Sequence, residues 1–97
     1  MKPQKNVEEV LKQHKEELVE KYKVKEIGVF GSYVRGERKK SSDVDILVEF
    51  EIVPDLLKFI ELERYLKKLL GMKVDLVRKK ALRVELKDII LKEVIYI

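Results

Sequence analysis

Three carboxylates stand in stretches that otherwise read as buried strand. Asp43 and Asp45 open the run Asp43-Val44-Asp45-Ile46-Leu47-Val48, and Asp75 sits inside Val74-Asp75-Leu76-Val77. Acids are costly to bury unless something positive lies against them. Two residues apart on a strand, Asp43 and Asp45 project from the same face. Carboxylates held that close repel each other unless a cation lies between them. A hard divalent ion such as Mg2+ removes the repulsion, since it takes oxygen ligands and commonly shares them with phosphate oxygens. Upstream, Gly31-Ser32 ends the apolar stretch 27–30. Glycine there lets a backbone approach phosphates, and N–H groups at a helix start attract anions. Gly31 and Ser32 are therefore candidates for a phosphate turn, and Asp43 and Asp45 for metal ligands. With that pair in place, Asp75 becomes a third ligand and a candidate general base. Solvated strand acids and a plain helix cap would explain each piece singly; together the pieces suit a nucleoside triphosphate with its metal.

Arg35 lies within one helical turn of Ser32 and can reach the same phosphates. The basic residues Arg38, Lys39 and Lys40 read as a solvated loop, and Arg78, Lys79, Lys80 and Arg83 as a solvated turn. His14 falls on an apolar stripe and is expected to pack rather than ligate. Tyr22, Tyr65 and Tyr96 read as core or boundary aromatics.

These groups need elements to hold them. Val7, Val10, Leu11, His14, Leu18 and Tyr22 follow helical spacing, which predicts one amphipathic helix over 4–22. A strand follows over 24–30, then a short helix over 32–35, capped by Ser32 and ended by Gly36. Residues 37–42 form a polar, basic loop. On the strand 44–50, Val44, Ile46, Val48 and Phe50 face a core, whereas Asp43, Asp45, Leu47 and Glu49 face away. Pro54 opens a helix to residue 70, with Leu56, Leu57, Ile60, Leu66, Leu69 and Leu70 as its buried stripe and Gly71 as its stop. A strand over 73–77 places Asp75 on the face of the other two acids. A last helix over 83–92 precedes a short strand or extension over 93–97. The expected architecture is α+β: a small mixed sheet with helices packed on one face and the acids on the other.

Composition narrows the function further. The 97 residues suit one domain, 1–97, and the balance of 41% charged and 45% hydrophobic residues is that of a globular chain. Lysine and glutamate richness without cysteine is common in heat-tolerant proteins. Zero cysteines and one histidine exclude disulfides, thiolate metal sites and a histidine-rich zinc site. A net charge of +4 suits an anionic ligand but does not establish nucleic-acid binding. No signal peptide and no membrane-length apolar run are seen, so a cytoplasmic location is expected, with no membrane partner.

The pattern Gly31-Ser32 with Arg35-Gly36, followed by Ser42-Asp43-Val44-Asp45-Ile46-Leu47-Val48, closely resembles the DNA polymerase β-like nucleotidyltransferase superfamily and its short members, the minimal nucleotidyltransferases. Val74-Asp75-Leu76-Val77 matches the strand that carries their third acid, and 86–97 resembles their ending. The resemblance implies a palm-like fold and two Mg2+ ions held by Asp43, Asp45 and Asp75. It also implies ATP as donor, bound through Gly31, Ser32, Arg35 and Ser42. Tyr33 departs from the pattern, standing where many relatives carry a basic residue. The short members resemble the antitoxin half of HEPN/MNT toxin–antitoxin pairs. The implied reaction is transfer of AMP from ATP to a tyrosine hydroxyl of a cognate HEPN-type RNase toxin, with pyrophosphate released and the two proteins forming a complex. Two alternatives stay open because these residues read the donor and not the acceptor. One is a non-catalytic antitoxin that acts by binding its partner; the other is nucleotidyl transfer to RNA or a small molecule.

Overall fold

Alternating apolar residues build the centre of the sheet. In the computed structural model, which describes residues 7–36 and 43–97, β1 (Val24–Phe30) and β2 (Val44–Phe50) pair antiparallel, with Phe30 opposite Asp45. Val44, Ile46, Val48 and Phe50 are buried on one face, as the period of two requires. A register irregularity between Val24 and Glu26 turns Val24 and Ile27, three residues apart, toward the same core. β3 (Val74–Arg78) lies parallel to β2, and β4 (Ile95–Tyr96) antiparallel to β1. The strand order is β3-β2-β1-β4.

Three helices supply the other half of the core. α1 (Val7–Gln13) contributes Val7 and Leu11, α2 (Lys15–Tyr22) contributes Leu18 and Tyr22, and α4 (Leu56–Leu70) contributes Leu62, Leu66 and Leu70. The expected single first helix is two, interrupted at His14. The His14 ring nitrogen Nδ1 lies 2.9 Å from the Val10 carbonyl, and the His14 backbone N–H donates to Leu11 instead. A side chain inserted into the i→i−4 ladder breaks it there. The expected start at residues 4–6 lies outside the described residues.

α4 begins at Leu56, two residues after Pro54, because Asp55 is the cap: its side chain accepts from the Lys58 N–H at 2.8 Å. Its expected stripe is corrected as well. The inward row is Leu62, Leu66 and Leu70, with Phe59 packed against it, while Leu56 and Leu57 are 72% and 79% exposed and Ile60 is exposed too. Leu57 and Ile60 fall on the outward side of that row, and Leu56 rims an open hollow with Val53, Pro54, Phe59 and Arg78.

Tyr33 belongs to α3 (Ser32–Arg35) and turns inward, its hydroxyl accepting from the Val7 N–H at 3.2 Å. Residues 79–81, expected as part of a solvated turn, form a 3-10 turn in which Lys79 meets Glu26 at 3.3 Å and lies over the Tyr96 ring. Tyr96 itself is exposed rather than packed inside. The last helix, α5 (Val84–Glu93), buries none of its residues. Its end nevertheless reaches the sheet face opposite the main core: a Cβ on Gly28 would stand 2.7 Å from Val94 Cγ2. Phe30 and Leu47, which point to that second face, are also buried. Among the described residues no helix is long and apolar enough to cross a membrane.

Candidate active site

Strand register brings the candidate residues into one row. Phe30 is paired with Asp45 across β1 and β2, and Asp45 with Asp75 across β2 and β3. Neighbouring strands lie about 4.8 Å apart, so the turn that follows Phe30, the Asp45 carboxylate and the Asp75 carboxylate occupy adjacent steps on one face. Asp43, just before β2, is exposed, and its neighbour Val44 is fixed by a 2.9 Å bond from its N–H to the Lys73 carbonyl.

The turn at the end of β1 is built on Gly31, whose φ of 82° and ψ of −152° fall in a region that only glycine occupies readily. A Cβ there would overlap the Asp45 carboxylate, whose Cγ would be 3.0 Å away. The acid therefore nests against bare backbone. Gly31, rather than Ser32, takes the cap position of α3, and its carbonyl accepts from the Val34 and Arg35 N–H groups at 3.1 Å each. Ser32 is the first helical residue. Gly36 ends the helix in a left-handed conformation, as the sequence suggests.

One residue of this site carried no signal in the sequence. Glu93, at the end of α5, accepts from the Gly31 N–H at 2.8 Å and from Arg35 Nη1 at 3.1 and 3.2 Å. It lies 62 positions from Gly31 along the chain, in a segment with no other acid beside it, and only the return of the chain along β1 brings it there.

Electrostatics follow the same row. Burial lifts the Asp45 carboxyl above its usual range, and the charges of Asp75 and Asp43 lift it further. Arg35 opposes that effect and Glu93 adds to it. An all-carboxylate donor set whose central member resists ionising fits a hard divalent cation, which prefers oxygen and relieves the repulsion. The row is a shared face and not a closed cage, however. Among the described residues, no three His, Cys, Asp or Glu side chains are grouped so as to hold a metal ion as they stand. Asp45 leans toward Gly31, so common ligation requires side-chain rotation.

Of the residues singled out from sequence, Gly31, Ser32, Arg35, Asp43, Asp45 and Asp75 thus gather at one end of three strands. Ser42, Arg38, Lys39 and Lys40 lie outside the described residues. His14 is half-buried where α1 meets α2, its ring nitrogen against the Val10 carbonyl.

A palm-like sheet with paired acids at the start of one strand, a third on its parallel neighbour and a glycine turn beside them defines an enzyme of the nucleotidyl-transfer class. The chain belongs to the nucleotidyltransferase domain family, whose model matches residues 11–97. It is 59% identical over 91 residues to the protein adenylyltransferase MntA of Thermococcus cleftensis, covering 94% of this chain and 92% of that protein. A solved structure described as a candidate minimal nucleotidyltransferase superposes with a TM-score of 0.75 at 32% identity, covering 97% of this chain and 98% of the other. A toxin–antitoxin complex crystallised with AMP-PNP contains a chain that superposes with a TM-score of 0.73 at 26% identity, covering 95% of this chain and 72% of that one.

Proposed function

We propose that this protein is an antitoxin that transfers AMP from ATP to a tyrosine hydroxyl of a cognate HEPN-type toxin, with which it forms a complex. The in-register row of Phe30, Asp45 and Asp75 beside the Gly31 turn carries this reading, because it sets a glycine turn and two carboxylates on adjacent strands, an arrangement that suits a nucleotide's phosphates and their metal. The name of the Thermococcus relative and the toxin–antitoxin complex holding an ATP analogue support the choice of reaction and partner.

Asp43, Asp45 and Asp75 would hold Mg2+, two ions in the full site, and bound metal would offset phosphate charge and acidify the acceptor hydroxyl. Ser32 and Arg35 would contact the triphosphate, with Ser42, which precedes β2 in the sequence, as a further contact. The tyrosine oxygen attacks the α-phosphorus in line with the bond to pyrophosphate. That P–O bond breaks as the new one forms, and pyrophosphate leaves with the bonding electrons. Asp75, at the outer step of the row, accepts the phenolic proton. A phenol with a pKa near 10 needs this help at neutral pH.

The test mixes the purified protein with α-32P-ATP, Mg2+ and the protein encoded next to it. Label should enter the neighbour with wild type and disappear with Asp43→Ala/Asp45→Ala. Equal labelling by the double variant would overturn the catalytic reading. Toxin neutralisation that survives the double variant would instead favour an antitoxin that acts by binding alone.

A further inference from the structure

We infer that Glu93 is a positioning residue of the donor-phosphate turn, through which the C-terminal helix sets the placement of Gly31 and Arg35. The inference rests on the nucleotidyl-transfer reading of the site and extends it to an acid outside the strand carboxylates. Three observations carry it. First, Glu93 Oε2 accepts from the Gly31 N–H at 2.8 Å, at the one backbone position in the row with a glycine-only conformation. Gly31 is buried, and a buried N–H without an acceptor is strongly disfavoured. The carboxylate therefore stabilises the turn in the shape that admits Asp45.

Second, both oxygens of the same carboxylate hold Arg35 Nη1, at 3.1 and 3.2 Å. Arg35 is the cation next to the row, and its side chain is nearly half exposed. A long exposed side chain samples many rotamers, and a charge-assisted contact selects among them. Glu93 is the less exposed partner, 19% against 46% for Arg35, so the acid is the anchor and the arginine is the group being aimed.

Third, the anchor is tied down from behind. Val94 packs over Gly28, the Ile97 N–H donates to the Ile27 carbonyl at 2.9 Å, and β4 pairs with β1. Glu93 thus reaches the turn from a segment registered on the same strand that ends in that turn. The acid and the N–H it accepts from are fixed to one piece of backbone.

A carboxylate beside phosphates could act in the opposite sense, by competing with them for Arg35 and the Gly31 N–H. Glutamine separates the two roles: its amide oxygen in the Oε2 position still accepts from the Gly31 N–H, whereas the neutral amide gives up the charge-assisted hold on Arg35. If Glu93 positions the turn, Glu93→Gln should bind Mg2+ with AMP-PNP within about threefold of wild type, and Glu93→Ala should bind at least about tenfold more weakly. Isothermal titration calorimetry gives these constants. Equal or tighter binding by Glu93→Ala would overturn the inference, and tighter binding by both variants would establish competition instead.

A second readout needs no nucleotide. The Gly31 amide, followed by 15N-resolved hydrogen exchange, should exchange at least about tenfold faster in Glu93→Ala than in wild type. The Val29 and Ile46 amides serve as references, and Glu93→Gln should restore protection. Unchanged Gly31 exchange in Glu93→Ala would overturn the inference. Should wild type itself fail to bind the nucleotide, the donor-site reading falls, and the exchange measurement still decides whether Glu93 holds the turn.

Discussion

Replacing Gly31 by alanine tests the site at its tightest point. The backbone there has φ 82° and ψ −152°, a region that costs a residue with a Cβ about 1–3 kcal/mol. The new methyl would also enter the Asp45 carboxylate, standing 3.0 Å from its Cγ and 3.3 Å from its Cβ. Either the turn opens or Asp45 moves by about 1 Å or more. Gly71 provides the control: it also has positive φ, 68°, but nothing lies within 4 Å of a Cβ built on it. Gly71→Ala should therefore cost only the left-handed backbone penalty, about 1 kcal/mol. For a domain of this size about 1 kcal/mol lowers Tm by roughly 4–8 °C. Gly31→Ala should lose roughly twice as much, since it combines strain with steric displacement.

Activity should separate the two variants more sharply than stability does. Misplacing a catalytic group by about 1 Å can reduce rate about 100-fold. Gly31→Ala should show that loss in AMP transfer at a temperature where it remains folded, and Gly71→Ala should keep wild-type transfer. Thermal unfolding by circular dichroism and single-turnover labelling measure the two effects. The reasoning is refuted if the variants unfold at the same temperature and Gly31→Ala retains more than about a third of wild-type activity.

Two further outcomes follow from burial and charge. The folded-state carboxyl of Asp45 is raised above its ordinary value of 3.8, so in metal-free protein its ionised form opposes folding. The favourable contribution is complete below the unfolded value, about pH 4, and is lost as pH rises through the elevated one. Asp45→Asn should raise the Tm of metal-free protein at pH 7, with the gain shrinking toward pH 4; a lower Tm at pH 7 would contradict it. Leu66→Ala, at a fully buried core position, should cost about 3 kcal/mol in denaturant unfolding. Leu57→Ala, at a residue 79% exposed, should change stability by less than about 0.5 kcal/mol; equal losses would refute the corrected helix orientation.

The two central strands could be read from sequence with the boundaries seen in the structure, 24–30 and 44–50. β1 is a short apolar-rich run closed by glycine, and in β2 the alternation of Val44, Ile46, Val48 and Phe50 leaves little freedom in which face is buried. α4 was harder because leucine and isoleucine occur on every side of it. Periodicity alone could not choose between rows containing Leu57 and Ile60 and the row Leu62, Leu66 and Leu70, which packing against the sheet selected. The break at His14 came from a ring-to-carbonyl contact that helical spacing does not encode.

By itself the sequence determined which chemical groups exist and their local facing: Asp43 and Asp45 share a side because they are two residues apart, and Gly31 permits a turn no other residue adopts easily. Only the tertiary structure decided that Asp75 stands beside Asp45 and that Glu93 closes on Gly31 and Arg35. Those contacts span tens of residues, and their geometry is set by strand register and by the return of the C-terminal segment along β1. Local propensity fixes neither, because pairing partners are chosen by the burial that the whole sheet achieves.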